Sequence, residues 1–346
     1  MATVCVGIDI GSSKSAICAL DKLTGKTLYE REVATDAGAL VRAIKSVEGQ
    51  LEVHFESGEL ARWMYKLLKP HVTDVSVSRP KSNAYIARDP LKNDPLDARK
   101  LAELKRAGLV HAIYMSTDDD IYEFKRLVQH YERLTQGEAR QKNQIKARLR
   151  GYGIITRSCE VFSASVRPQW LAKVPSELGR IALEQSFAVL DAALTAQKQA
   201  LKALRMASKR FPPISRFQTM PGIGLILACV FFAYIQDPKR FKTRQRLWRY
   251  CRLGIARQMS SGKPLGPECL DRNGCPALKN LSRQAFLGAM LTKSMNAFKT
   301  AYAESLERTH NKDHARLNVQ RRILLVLWTM WLNGQDYKEK NDDLKG

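Results

Sequence analysis

The sequence predicts an α/β domain at its N-terminus, followed by a pair of long helices and a mostly α-helical C-terminal domain. Up to about residue 115, apolar runs of strand length alternate with stretches of helical spacing. Residues 121–149 and 178–206 then carry apolar side chains at helical spacing over much longer stretches. The rest of the chain is helix-rich and basic. The total of 57 Lys and Arg against 34 Asp and Glu gives a net charge of +23.

The N-terminal domain begins with three predicted strands joined by tight turns, and helices and strands then alternate. The predicted elements are the strands Val4–Asp9, Ser15–Leu20 and Thr27–Val33, the helix Asp36–Val47 with Asp36 as N-cap, the strand Leu51–Phe55, the helix Glu59–Leu68 and the strand Val75–Val77. This order is that of the ribonuclease H-like fold. Other α/β domains share parts of it, so the order alone does not identify the function.

The two long helical stretches flank an irregular segment, residues 151–175. They predict either an antiparallel helical hairpin or a coiled coil with a second subunit. The sequence Phe211-Pro212-Pro213 breaks the second helix and marks a boundary. The predicted domains are therefore residues 1–115, 116–210 and 211–336, with a polar tail at 337–346.

The excess of positive charge indicates a polyanionic partner. Nucleic acid fits best and an anionic membrane surface fits less well. The apolar runs are too short to span a bilayer, and the chain begins without the pattern of a signal peptide. Seven cysteines without a C-x-x-C pair favour reduced thiols, so we expect a cytoplasmic protein.

The first motif, VCVGIDIGSSKSAICALD, fits two kinds of site. The turn Gly11–Ser13 after Asp9 is typical of the phosphate loop of sugar kinases and actin-like ATPases. It is equally typical of the first hairpin of ribonuclease H-like nucleases, in which the aspartate holds a metal ion. The ATPase reading also needs a second phosphate loop and an adenosine-binding glycine pair, and the later half of the chain contains neither.

Further carboxylates favour the interpretation of Asp9 as a metal ligand. Glu56 ends the strand Leu51–Phe55, so Asp9 and Glu56 are both expected at strand ends. Two neighbouring carboxylates raise each other's pKa unless a cation lies between them. Mg²⁺ with oxygen ligands is the usual partner in phosphodiester chemistry.

A third acidic segment, NDPLDAR, opens a predicted helix. In the structural interpretation, which this segment alone favours, Asp94 is the N-cap, Pro95 is at N1 and Asp97 at N3 suits the helix dipole. In the functional interpretation, Asp94 and Asp97 share a helix face and point at one spot. A capping aspartate has fewer lone pairs left for a metal ion, so Asp97 is the safer ligand.

The C-terminal domain contains two segments suited to nucleic-acid binding. Pro221-Gly222-Ile223-Gly224 precedes the predicted helix Leu225–Ile235, as in the turn of a helix-hairpin-helix module. Residues 237–250 interleave cations with aromatic side chains, and the alternative there is an amphipathic helix packed on Phe241, Leu247 and Trp248. The predicted nucleic-acid-binding residues are Gly222, Gly224, Lys239, Arg240, Lys242, Arg244, Arg246 and Arg249.

Asp9, Glu56, Asp94 and Asp97, called here the carboxylate tetrad, spell D–E–D–D. With the segments FESG and NDPLDARKLAEL, the chain resembles the insertion-sequence transposases of the "one-ten" group and the Piv-type DNA invertases. The resemblance implies a RuvC-like N-terminal domain in which all four tetrad residues are catalytic and bind Mg²⁺, with Mn²⁺ as an alternative. It extends through P-G-I-G, an R-F segment and a serine loop, and so spans essentially the whole chain.

The same resemblance implies that Ser261, before Gly262, is a nucleophile that forms a phosphoserine link to the cut DNA strand. The family often has proline at the place of Arg257, and the loop here is one residue shorter, so the choice between Ser261 and Ser260 stays open. The implied partners are DNA, a structured noncoding guide RNA encoded by the element, and further copies of the chain as a dimer or tetramer. A nucleoid-associated, prokaryotic-type protein is implied, with Arg140, Lys142, Lys146, Arg148 and Arg150 as candidates for holding the RNA.

Two rival functions remain. A RuvC-like structure-specific endonuclease would share the tetrad and the basic surface, but it would hydrolyse DNA with water and leave Ser261 without a role. A non-catalytic nucleic-acid-binding protein would tolerate the loss of any one carboxylate.

Overall fold

The computed structural model describes residues 2–80, 93–156, 159–257, 259–260 and 263–339. The chain divides into an N-terminal unit, Met1–Thr117, and a C-terminal unit, Asp118–Gly346. The N-terminal unit contains a mixed sheet and the C-terminal unit is mostly helical.

Five strands and three α-helices, with one turn of 3-10 helix at Lys69–His71, form the described part of the N-terminal unit. They are β1 (Thr3–Ile10), β2 (Lys14–Asp21), β3 (Thr27–Ala34), α1 (Ala37–Lys45), β4 (Gln50–Glu56), α2 (Ala61–Leu68), β5 (Asp74–Ser78) and α3 (Asp94–Arg106). The strand order is β3-β2-β1-β4-β5. The β1–β2 and β2–β3 pairs are antiparallel, whereas β4 runs parallel to both β1 and β5. This mixed sheet is compatible with a ribonuclease H-like domain.

The alternation of side chains along each strand gives the sheet two different faces. Val4, Val6 and Ile8 of β1 are buried in one core with residues of α1 and α2. The opposite face of β2 is buried against Ala98 and Ala102 of α3. The helices therefore cover both faces, and α3 packs against the second one.

The C-terminal unit begins with two long helices, α4 (Asp119–Gly151) and α6 (Glu177–Ser208), separated by the short α5 (Arg167–Leu171). Gln197 of α6 donates hydrogen bonds to Thr135 Oγ1 at 3.0 Å and Glu138 Oε2 at 2.8 Å. Nearer the other end, Arg148 Nη1 donates to Ala182 O at 2.7 Å. Residue numbers rise along α4 from Thr135 to Arg148 while those of their partners on α6 fall from Gln197 to Ala182. The two helices therefore form an antiparallel hairpin within one molecule.

Six further helices complete the described part of this unit: α7 (Pro212–Phe217), α8 (Leu225–Ile235), α9 (Arg244–Tyr250), α10 (Pro276–Leu291), α11 (Ala297–Thr309) and α12 (Lys312–Asn333). Helix α8 is central because it is apolar on all sides. Its Phe232 packs against Phe124 of α4 at 5.6 Å, Phe211 at 4.7 Å and Trp331 of α12 at 4.9 Å between ring centroids. The base of the helical hairpin therefore shares one core with the C-terminal helices.

Four two-residue strands lie between α9 and α10. They are β6 (Ile255–Ala256), β7 (Met259–Ser260), β8 (Lys263–Pro264) and β9 (Cys269–Leu270), with β6 paired to β9 and β7 paired to β8. None of the helices in the described part of the chain has the length and apolar character needed to cross a membrane.

Candidate active site and nucleic-acid interface

Asp9 and Glu56 lie at the ends of two neighbouring parallel strands. The β1–β4 register pairs Ile8 with Phe55, so the next residues along each strand, Asp9 and Glu56, reach the same edge of the sheet. Ile8 and Phe55 are buried with α1 and α2, so both carboxylates belong to the opposite face. The segment Gly11–Ser13 connects β1 to β2, and Thr35 Oγ1 donates to the Gly11 carbonyl at 3.0 Å.

Gly7 determines how closely helix α3 approaches this face. A Cβ atom at Gly7 would lie 2.0 Å from Ala98 O and 2.4 Å from Ala102 N, which no real side chain can occupy. The helix backbone therefore rests directly on β1, and the small side chains of Ala98 and Ala102 allow this approach. This role of Gly7 was not predicted from the sequence, although a glycine within an otherwise apolar strand is a signal for such a close approach.

His54 provides a second connection between the sheet and α3. It is fully buried, and its Nδ1 lies 3.0 Å from Leu101 O while its Nε2 lies 2.9 Å from Ser78 Oγ. A carbonyl only accepts, so Nδ1 carries the proton and Nε2 of the neutral ring accepts from the Ser78 hydroxyl. Burial lowers the pKa of His54, which keeps the ring neutral. A role for His54 was not predicted from the sequence either.

The N-terminus of α3 corrects the structural interpretation of Asp94. Asn93, not Asp94, is the N-cap, and its side chain makes no capping hydrogen bond. Asp94 is the first helical residue, so it does not use its carboxylate as a cap. Asp97 is half-buried, and its Oδ1 accepts no hydrogen bond within the described part of the chain; Lys100 Nζ lies 3.7 Å away.

The carboxylates of Asp94, Asp97 and Glu56 all lie within electrostatic range of Asp9. The pKa of Asp9 is raised to about 6, first by burial and then by the negative charges of Asp94, Asp97 and Glu56. Each cause disfavours the ionised form of Asp9. A cation at this position would oppose all of them.

The donor set suits a hard divalent cation. All four tetrad side chains offer carboxylate oxygens, which Mg²⁺ and Mn²⁺ accept, and Asp97 contributes a buried oxygen without a hydrogen-bond donor. Among the described residues, however, no three His, Cys, Asp or Glu side chains are already gathered into a group that could hold a metal ion. The tetrad residues thus interact electrostatically without forming a closed coordination cage.

The serine loop lies on the C-terminal unit, and Ser261 and Gly262 fall outside the described residues. Ser260 is described: it is exposed at the end of β7 and pairs with Lys263. The base of the segment is fixed by the β6–β9 pair and by a hydrogen bond of 2.8 Å from Asp271 N to Gly254 O. Cys275 N donates to Tyr250 O at 2.7 Å, which ties the far side of the segment to α9.

The two glycines of P-G-I-G occupy different surroundings. Gly222 has φ of +84°, and a Cβ atom there would lie 2.4 Å from Ala285 O of α10. Gly224 is the N-cap of α8, and a Cβ atom there would meet no atom within 4 Å. Packing against α10 explains why residue 222 is a glycine, whereas the space around Gly224 would accept a side chain. A phosphate contact at either glycine stays a prediction.

The basic segment 237–250 buries its apolar side chains and exposes most of its cations. Phe241 and Leu247 are buried, as the amphipathic alternative expects. Arg240 stacks on Phe241 and Tyr250, with its Cζ 4.7 Å and 4.2 Å from the ring centroids. Arg244 is half-buried near Trp248. The exposed cations are Lys239, Lys242, Arg246 and Arg249.

Five cations of α4 are candidates for holding the RNA. Three of them interact with other side chains or the backbone of the C-terminal unit. Lys142 pairs with Glu138 at 2.6 Å, and Lys146 lies 5.5 Å from the centroid of the Phe162 ring. Arg148 bonds to α6 as described above. Arg140 and Arg150 are exposed.

Known proteins resemble both parts of the chain. A family model described as a transposase, of the DEDD type of IS110, matches residues 6–154, and a model of the transposase IS116/IS110/IS902 family matches residues 214–303. The chain is 21% identical over 343 residues to the transposase for insertion sequence element IS1111A of Coxiella burnetii, which covers 96% of this chain and 91% of that protein. It is 27% identical over 271 residues to "Putative transposase y4qE" of Sinorhizobium fredii, which covers 75% of this chain and 64% of that protein.

Proposed function

We propose that this chain uses a divalent-metal site and a serine nucleophile. The premise is that it belongs to the IS110 family of transposases and is a DNA-cleaving and rejoining enzyme. The metal site consists of the carboxylate tetrad on a RuvC-like N-terminal domain. The nucleophile is Ser261.

The observation that carries the metal site is the environment of Asp9. Its half-buried carboxylate lies at a strand end within range of three further carboxylates. Burial first, and then the charges of these carboxylates, raise its pKa to about 6. Such a cluster of like charges is costly unless a cation joins it. Bound Mg²⁺ or Mn²⁺ would supply neutralisation of charge on the reacting phosphate. We expect the tetrad side chains to move closer together when the ion binds.

The serine step conserves the number of phosphodiester bonds. The Ser261 Oγ bonds to phosphorus and loses its proton, while the bond between phosphorus and the DNA oxygen breaks and that oxygen takes up a proton. The strand is then held as a phosphoserine. Attack by the hydroxyl of another strand releases the serine and forms the new DNA bond without ATP. The neighbouring cation Lys263, on β8, supports this segment as a place for a phosphate.

A guide RNA is the third part of the proposal. It draws support from the net charge of +23, which exceeds what a small site needs, and from the exposed Arg140 and Arg150 on α4. An RNA backbone on this helix would contact those two cations first. We also propose a dimer or tetramer, because strand exchange needs at least two cuts.

The test is an adduct assay with the full chain. The protein is incubated with Mg²⁺, DNA bearing the ends of its own element, and the neighbouring noncoding RNA, and protein–DNA adducts are sought in denaturing gels. We expect an adduct that disappears in Ser261→Ala, persists in Ser260→Ala, and requires Asp9. Omission of the RNA should reduce the adduct at matched sites.

The rival endonuclease predicts a different result. Clean cleavage without an adduct, at the same rate in Ser261→Ala, would replace the recombinase by a hydrolytic RuvC-like nuclease. An adduct that persists in Ser261→Ala but disappears in Ser260→Ala would move the nucleophile to Ser260. Normal cleavage by Asp9→Asn would remove the metal-site proposal.

A further inference from the structure

A groove of about 1080 Å³ lies in the C-terminal unit between α10 and α12. Ile255 of β6 and Cys269 and Leu270 of β9 form one of its walls. These two strands bound the segment that contains the serine loop. None of the nucleic-acid-binding residues predicted from the sequence lines this groove.

The groove carries an excess of positive charge. Lys279 and Arg283 of α10 and Arg321 of α12 line it, and no carboxylate in the described part of the chain pairs with any of the three. The two acidic residues in the lining already have partners. Glu268 pairs with Arg257, and Asp313 Oδ1 lies 2.8 Å from Arg316 Nη2.

Arg321 is held in place by the fold. Its Nε and Nη2 donate to Leu253 O at 2.9 Å and 2.7 Å, and its Cζ lies 5.6 Å from the centroid of the Trp248 ring. The Trp248 indole in turn donates to Arg321 O at 3.1 Å. Burial lowers the pKa of Arg321, as expected for a guanidinium without a nearby anion. A positioned, half-buried guanidinium is suited to bind a phosphate.

Gln320 places a side-chain amide in the groove. The residue is 6% exposed and lines the groove, and its amide forms no hydrogen bond with any residue that the structure describes. The amide is not one of the fully buried polar groups that lack a partner in the described part of the chain, so it reaches the solvent of the groove. Its N–H donors and its carbonyl acceptor are therefore open to a polar ligand there.

We propose that this groove binds the sugar–phosphate backbone of the DNA strand that becomes joined to the serine segment. Lys279, Arg283 and Arg321 contact phosphates, and the Gln320 amide bonds to a polar atom of the same strand. DNA is chosen over RNA because the strands β6 and β9, which line the groove, flank the serine loop in the sequence, and the cut strand has to reach that serine. The proposal rests on the proposed function for the identity of that strand.

The test measures DNA affinity separately from chemistry. Binding of a fluorescent duplex carrying the element end is followed by anisotropy in EDTA over a series of salt concentrations. In the double variant Lys279→Gln/Arg283→Gln, log affinity should depend less steeply on log salt concentration. The magnitude of the negative slope should decrease by about 1.8, because each lost phosphate contact lowers that magnitude by about 0.9. Gln320→Met should weaken binding several-fold without changing the slope, since it removes no charge.

The matched control is Lys293→Gln/Arg308→Gln. Both residues are exposed, lie in the same unit and do not line the groove, and the net charge changes by the same amount. Equal slopes and affinities in the control and groove variants would overturn the proposal. So would a loss of affinity confined to an RNA of the same sequence. Thermal unfolding identifies any variant that fails to fold, and each variant is expected to unfold at the same temperature as the wild type. If the double variant fails to fold, the DNA affinity of Gln320→Met provides the second measurement.

The adduct assay on the wild-type protein separates this proposal from the proposed function. An adduct together with unchanged DNA binding by the groove variants would refute the groove alone. Loss of DNA binding by the groove variants, in a protein that never forms an adduct, would refute the serine chemistry alone.

Discussion

Gly7 and His54 lie opposite each other on the parallel strands β1 and β4, and both contact helix α3. Each precedes a tetrad carboxylate by two residues, so it lies on the same face as Asp9 or Glu56. On α3, the contacted residues Ala98 and Leu101 lie one turn after Asp94 and Asp97. The packing of α3 on this residue pair therefore brings Asp94 and Asp97 within electrostatic range of Asp9.

Substitution of Gly7 should disturb the site through the backbone of α3. In Gly7→Ala, the Cβ atom would force the helix away from β1, and we expect a loss of about 1–3 kcal/mol in the free energy of unfolding. Stabilisation of the protein by Mg²⁺ in thermal unfolding should fall as well, because two of the proposed ligands, Asp94 and Asp97, move with the helix. Gly58→Ala is the control, since a Cβ atom there has nothing within 4 Å. Equal effects of the two variants would contradict the role of Gly7.

Removal of the His54 ring should destabilise the N-terminal unit. His54→Ala removes one hydrogen-bond partner of the buried Ser78 hydroxyl and creates a cavity, so we expect a cost of about 2–4 kcal/mol. Denaturant unfolding measures this cost. His71→Ala, at an exposed position in the same unit, should leave stability nearly unchanged. A cost below that of ordinary surface substitutions would mean that His54 does not fix α3.

Asp9 should make the metal-free protein less stable as the pH rises. Its pKa is raised to about 6, so between its ordinary value and 6 the folded state binds more protons than the unfolded state. Stability then falls as the pH rises through that window and stays lower above it. Asp9→Asn should remove this component and raise the metal-free unfolding midpoint at pH 7 by about 2–4 °C.

Mg²⁺ should relieve the same penalty. We expect the ion to raise the unfolding midpoint of the wild type at pH 7, and to have little effect on Asp9→Asn. Glu48→Gln, an exposed change at the other end of β4, should behave as the wild type does. A Mg²⁺ effect of equal size in Asp9→Asn would place the ion elsewhere.

The two glycines of P-G-I-G should respond differently to substitution. Gly222→Ala combines a positive φ with a clash against α10, so we expect a loss of about 2–4 kcal/mol in the free energy of unfolding. Gly224→Ala has room and an ordinary φ, so the fold should persist. DNA affinity of Gly224→Ala, measured by anisotropy, then tests the phosphate contact. Unchanged affinity would leave this turn a purely structural element.

The strands and helices of the N-terminal unit were predictable because each depends on local patterns. The run Val4–Asp9 is observed as β1 at Thr3–Ile10, and the predicted strand at Val75–Val77 is observed as Asp74–Ser78. The helix cap at Asp94 was wrong by one residue, since Asn93 fits the same preference. Helix boundaries depend on single hydrogen bonds that neighbouring polar residues can equally provide.

The sequence by itself determined the order of the elements, the excess of positive charge and the four carboxylates at the ends of strands and of a helix. These features depend on periodicity and composition, which act over a few neighbouring residues. Only the tertiary structure decided that Gly7 and His54 contact α3, that Gly222 packs on α10, and that Lys279 and Arg321 line one groove. Each of these relationships joins residues far apart in the chain, and the burial and close packing that define them arise only when the chain has folded.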